Sequence, residues 1–213
     1  MTMNKAGYFV DFALPPWFQG PEVLRALLEE LWNQCYPDLY EEDCADPRAL
    51  VEAERRVLAV SSDDDFGHRR LVWMALTFCS AVSATVDAYL PGDPRPARVI
   101  ARLEEWLRDP ATPVSEEIQS MFPQITTPPQ ALHEALDVLY QSLKVLDPAS
   151  AVEALQEILD DCMEGYAIFP GSEGRRDLFN WWLIAVVPAS WYLRKPDVIY
   201  TMLLPWPPPA PQV

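Results

Sequence analysis

At Asp46-Pro47, Asp93-Pro94, Thr127-Pro128 and Asp147-Pro148 an Asp or Thr stands directly before a proline. Each pair precedes a stretch in which apolar residues recur at helical spacing. The side-chain oxygen can accept from free amides at a helix start, and proline suits the first helical position, where no N–H is needed. Alternating runs rich in Val, Ile and Thr, the mark of strands, are nearly absent. The pattern predicts an all-α fold with helices over 21–36, 47–60, 67–90, 95–108, 114–121, 129–146, 148–164 and 175–194. Many of the 22 prolines are then helix punctuation, and only 7 glycines leave little room for long flexible connectors. Successive helices are expected to pack as neighbours in a single compact multi-helix array of about eight helices.

That array is expected to occupy residues 1–204 as one domain, since 213 residues suffice for one well-buried core and are few for two. Residues 205–213, "PWPPPAPQV", form a proline-rich tail of the kind that favours polyproline II. Half the residues are hydrophobic, enough apolar surface to offset the entropy of folding. The most apolar run, "LFNWWLIAVVPASWYL" over 178–193, carries Asn180 and Pro188 and falls short of the roughly 20 residues of a membrane-spanning helix. It reads as a buried helix, and no membrane span is expected. The first residues lack the continuous apolar core of a secretory signal, so a cytoplasmic location is expected. Cys35, Cys44, Cys79 and Cys162 contain no C-x-x-C pair, which removes the usual zinc and redox motifs and leaves reduced thiols.

Charge bears most directly on function. With 32 Asp and Glu against 16 Lys and Arg, the formal charge of -16 repels nucleic acid and anionic membranes and favours a basic protein partner. Two acidic concentrations fall in connecting segments, where the outer face of a helix does not account for them. Asp38, Glu41, Glu42, Asp43 and Asp46 lie in the first, and Asp63, Asp64 and Asp65 in the second. These eight are the candidate partner-binding residues, the aspartate triplet having capping of the next helix as its alternative role. Over 152–166, Val152, Leu155, Leu159, Cys162 and Tyr166 share one helical face, and Glu153, Glu157, Asp160, Asp161 and Glu164 share the other. No Glu-x-x-His accompanies the carboxylates, so a solvated face is expected there, with neither a metal site nor a cofactor.

Acid–base chemistry is limited by the presence of two histidines. His133 has Asp137 one turn away to orient it, with no recognisable nucleophile motif, and His68 adjoins Arg69 and Arg70, where capping or salt bridging suffices. No catalytic residue is assigned. The segment "FPGSEGRRDLF" offers an alternative function, ligand binding or catalysis in a helical domain. Gly171, Ser172, Gly174, Arg175 and Arg176 would form its anion site, beside walls drawn from Phe179, Trp181, Trp182, Trp191 and Tyr192. A further alternative is a structural or assembly subunit with the Trp-rich segment as its interface.

In "YLPGDPRPARVIARLEEWL" (89–107), Pro91-Gly92 makes a turn, Asp93 caps, and Val99, Ile100, Leu103, Trp106 and Leu107 form a buried face. Arg95, Arg98 and Arg102 stand at the helix start, where cations oppose the dipole and need carboxylates. Asp87 and Asp93 are the nearest in sequence. This turn and the "EEWL" that follows resemble a signature of all-α immunity proteins from bacterial polymorphic-toxin systems, over residues 87–109. The resemblance implies a cytosolic bacterial protein that inhibits a toxin by binding it, without chemistry of its own. If Asp93, Arg95, Arg98 and Arg102 are structural, Arg95→Ala or Arg98→Ala lowers stability by about 1–3 kcal/mol in thermal or denaturant unfolding.

Overall fold

The computed structural model describes residues 11–34, 48–111, 120, 122, 129–163, 167–168 and 175–199. Among them are seven helices and no strand, so the fold is all-α. Six are α1 (Glu22–Asn33), α2 (Ala49–Ser61), α3 (Gly67–Tyr89), α4 (Arg95–Arg108), α5 (Gln130–Lys144) and α6 (Ala151–Met163). The seventh, α7, runs over 175–191 in three pieces, α-helical Arg175–Trp181, π-helical Trp182–Val186 and α-helical Val187–Trp191. The count falls one below the eight ranges expected. The range 114–121, apart from residue 120, and the tail 205–213 lie outside the described residues.

The longest helix organises the rest. Leu71, Val72, Met74, Ala75, Leu76, Phe78, Cys79, Ala81, Val82 and Val86 leave α3 apolar on nearly every side, so it must be enclosed. It packs against α2, α4, α5, α6 and α7, while α1 packs on α2 and α5 on α6. One continuous core runs from Phe18 to Val187. α3, and not 178–193, is the described helix long and apolar enough to cross a bilayer, and two thirds of its apolar window is buried against the other helices.

Helix ends follow local chemistry. Asp93 Oδ1 accepts from the Arg95 amide at 2.9 Å and opens α4, after a turn in which Gly92 takes a φ of 78°. Asp147 does the same for Ala149 at 3.0 Å, but α6 starts only at Ala151. The Asp147-Pro148 pair closes a turn there, and the helix ladder begins with Ala154 donating to Ser150. In α7, Pro188 has no N–H to give and its ring crowds the preceding turn. A π-helical stretch lies just ahead, with the Val187 amide reaching five residues back to the Trp182 carbonyl.

One buried guanidinium ties α2, α3 and α7 together. Arg70, 4% exposed, donates to the Ser61 carbonyl at 3.1 Å and to Asp64 Oδ2 at 2.8 Å, and lies 3.6 Å over the Trp191 ring. The adjacent Gly67 is required by close approach, because a Cβ there would fall 2.3 Å from the Ser62 carbonyl oxygen. The hydrogen bond from Arg70 holds the Asp64 carboxyl below the usual carboxylate range. A depressed carboxyl contributes stability above its unfolded pKa of about 4 and loses it as pH falls through the folded value. Arg70→Met is expected to cost about 2–4 kcal/mol at neutral pH, and acid titration of stability should show the variant losing less than the wild type.

Candidate partner-binding surface

The face of α6 buries Ala154, Leu155, Ile158, Leu159 and Cys162 and exposes Glu153, Glu157 and Asp160, as its periodicity predicts. Asp161 departs from that expectation. It is partly buried instead of solvated, on the side where α6 packs against α5. Burial, followed by the negative charges of Asp137, Glu134, Asp160 and Glu157, pushes its carboxyl up to about 8. Glu134 and Asp137 belong to α5, so the acidic surface spans two helices. Sequence periodicity within α6 could not reveal the second. Their spacing of three residues on α5 was the available signal, but it says nothing about which helix they face.

His133 borders this surface, its Nδ1 lying 3.2 Å from Asp137 Oδ2, the i,i+4 pairing expected. His68 plays a different part from the capping or ion pairing expected of it. Its Nε2 lies 2.7 Å from the Val145 carbonyl, and its ring meets Trp106 edge-on at 4.7 Å, joining α3 to the end of α5 and to α4. A carbonyl only accepts, so Nε2 carries the proton.

The connecting-segment carboxylates divide. Asp63, Asp64 and Asp65 are exposed between α2 and α3, and Asp64 is structurally engaged, accepting from the Phe66 amide at 2.9 Å as well as from Arg70. Asp38, Glu41, Glu42, Asp43 and Asp46 lie outside the described residues. The arginine row is architectural in part. Arg95 and Asp93 form a largely buried pair, with Arg95 Nη2 2.7 Å from Asp93 Oδ2 and Nε 3.0 Å from Oδ1. Arg102 is buried with Nη1 3.5 Å from Glu105 Oε2, and Arg98 is exposed. Asp87, expected as an arginine partner, accepts from the Gly92 amide at 3.2 Å.

At the expected anion loop, Gly171, Ser172 and Gly174 lie outside the described residues. Arg176 reaches across to the end of α1, donating to the carbonyls of Trp32 and, at 2.6 Å, Gln34. Arg175 is partly buried beside it. Those carbonyls are ones the helix leaves without intrahelical partners, and they hold Arg176 as an anion would. The aromatic walls expected there do not converge on one pocket. Phe179, Trp181 and Trp182 are wholly buried, Trp181 donating to the Val198 carbonyl at 2.9 Å. Trp191 lies under Arg70, and the exposed Tyr192 takes its hydroxyl to the Gln19 amide.

Cys79 and Cys162 are free and buried, and burial pushes the Cys79 thiol up to about 12 and Cys162 well above its usual value. Among the described residues no group of three or more His, Cys, Asp or Glu side chains is placed to hold a metal ion. Comparisons with protein-family models, curated proteins and solved structures return no match.

Asp161 supplies a test of this surface. Below about pH 4 its carboxyl is protonated whether the chain is folded or not. As pH rises toward 8, the unfolded chain releases that proton and the folded one keeps it, so the wild type loses stability. Asp161→Asn is therefore expected to melt a few degrees higher than wild type at pH 8 and at the same temperature near pH 4, by calorimetry.

Proposed function

We propose that this chain is a non-catalytic binding protein that covers and neutralises a basic protein partner, in the manner of a bacterial immunity-type inhibitor acting in the cytoplasm. The observation that carries this reading is the two-helix acidic surface of α5 and α6. Glu134, Asp137, Glu157 and Asp160 all act on Asp161 with the same sign, each raising its pKa. A cationic partner relieves that repulsion on binding, and the overall charge of -16 steers its approach from a distance. The turn and helix of 87–109 support the same class of partner through their resemblance to immunity proteins. The exposed carboxylates of 63–65 and the acidic residues within 36–46 add to the net negative charge.

The experiment begins with affinity capture at low ionic strength and identification of the bound protein, followed by stopped-flow association of the purified pair. Glu157→Lys/Asp160→Lys is expected to slow association about tenfold at low salt and to flatten its salt dependence, with the helical content unchanged. Charge reversal at Glu41, Glu42 and Asp43 should act in the same direction. Because a cation beside Asp161 lowers its raised pKa, complex formation near neutral pH should release protons, measurable by calorimetry in buffers of different ionisation enthalpy. A partner whose association rate ignores both sets of substitutions removes this reading.

A further inference from the structure

Where the start of α3, the end of α4 and the chain leaving α7 meet, there is a cavity of about 380 Å³ lined by Arg69, Trp73, Glu104, Leu107, Arg108 and Leu193. Its volume falls within the roughly 300–1,000 Å³ of small-molecule sites. Arg69 and Trp73 are one turn apart on α3, and Glu104, Leu107 and Arg108 occupy the last turns of α4.

Three features of the lining point to an anion with an apolar body. Arg69 is partly buried in the first turn of α3 and has neither an ion pair nor a hydrogen bond among the described residues. A cation at that end opposes the helix dipole, so leaving it without a carboxylate, in a chain holding 32 of them, is unfavourable. Its neighbours show the contrast, His68 being held by the Val145 carbonyl and Arg70 by Asp64. Arg108 provides the second guanidinium. Its Nε donates to the Glu104 carbonyl at 3.2 Å, which orients the fork. The Glu104 carboxylate is drawn to Lys195 Nζ at 3.0 Å, so the one acidic group among the described lining residues is neutralised by a residue outside that lining.

The third feature is backbone strain. Leu193, just past the end of α7, has a φ of 54°, the one positive value among the described non-glycine residues. Helix ends commonly adopt this conformation at glycine. The Arg194 amide closes the turn onto the Ala189 carbonyl at 3.1 Å. A leucine here bears a steric cost, and its side chain lines the cavity.

We propose that this cavity binds a small carboxylate carrying a flat apolar group, with Arg69 and Arg108 taking the carboxylate and Trp73, Leu107 and Leu193 the apolar body. Two guanidinium forks suit a carboxylate's paired oxygens, and the indole face suits a planar ring. The site is separate from the acidic surface of α5 and α6 and does not depend on the reading of that surface.

The test is isothermal titration of the full chain with indole-3-acetate, its neutral amide and inorganic phosphate. Saturable one-to-one binding of indole-3-acetate is expected, at least about tenfold weaker for the amide and for the acid with Arg69→Gln or Arg108→Gln. Arg69→Gln should melt at or slightly above the wild-type temperature, because no internal partner is lost and a charge opposing the helix dipole is removed. Leu193→Gly should melt higher than wild type while binding more weakly, a combination that a purely structural leucine would not produce. The proposal is overturned by absence of indole-3-acetate binding at millimolar concentration, by equal binding of the amide, by affinity unchanged in Arg69→Gln, or by binding of phosphate alone.

Discussion

A single guanidinium closes the gaps between segments far apart in the chain. Arg70 sits in the first turn of the central helix, yet its contacts are to the end of α2, to the loop carboxylate Asp64 and to Trp191 at the end of α7. Removing such a charge from water is costly, and only a partner set of this kind offsets it. The site therefore works as a register pin. With Arg70 turned inward, the loop of 62–66, the close approach at Gly67 and the exit of the chain after Trp191 are fixed together. The cavity at Arg69 and Leu193 borders the same junction, which is why its walls come from three elements distant in sequence.

The scarce cations are used mainly as internal fasteners. Arg56 bridges α2 to Glu30 of α1 through paired hydrogen bonds of 2.8 and 3.0 Å, Arg95 closes on Asp93, Lys195 reaches Glu104, and Arg176 caps the end of α1. The exposed pairs among these, Arg56 with Glu30 and Lys195 with Glu104, add little stability individually, but all of them settle where positive charge resides. It resides at joints, while Glu134, Asp137, Glu157 and Asp160 gather negative charge around Asp161 on the α5/α6 face. The electrostatic asymmetry of the molecule thus follows from its assembly as much as from its composition.

The last helix combines two demands. Its residues Phe179, Trp181, Trp182 and Leu183 fill the core against α3, α6 and α1, and Phe78 meets Trp181 edge-to-face at 5.7 Å. Pro188 interrupts the same helix, and the π-helical turn ahead of it is where the ladder changes its step. A five-residue reach rotates the following residues relative to a regular helix, so the positions of Trp191 and Leu193 depend on that turn.

Much of the fold was written in the order of residues. Helical spacing of Leu24, Leu27, Leu28 and Leu31, or of Val99, Leu103 and Trp106, assigns a buried face without reference to any other segment, since periodicity is a property of one helix. Asp93 and Pro94 mark the start of α4 because capping is settled within three residues. The same local logic placed α6 too early at Pro148, where a turn and a helix start share one signature. Function-bearing features were less legible. The acidic character was plain from composition, but the meeting of Glu134 and Asp137 with Asp161 required α5 to lie beside α6. Arg175 and Arg176 drew attention by their glycine-rich setting, while Arg69 looked like one more basic residue in "FGHRRL". Only the packed molecule shows that Arg176 is held by α1 carbonyls and that Arg69 faces a cavity with Arg108. Sequence determined which stretches become helices and which faces must be buried, because those depend on neighbours a turn away. Tertiary structure decided which charges are neutralised and which are not, because a charge is balanced by whatever lies nearest in space.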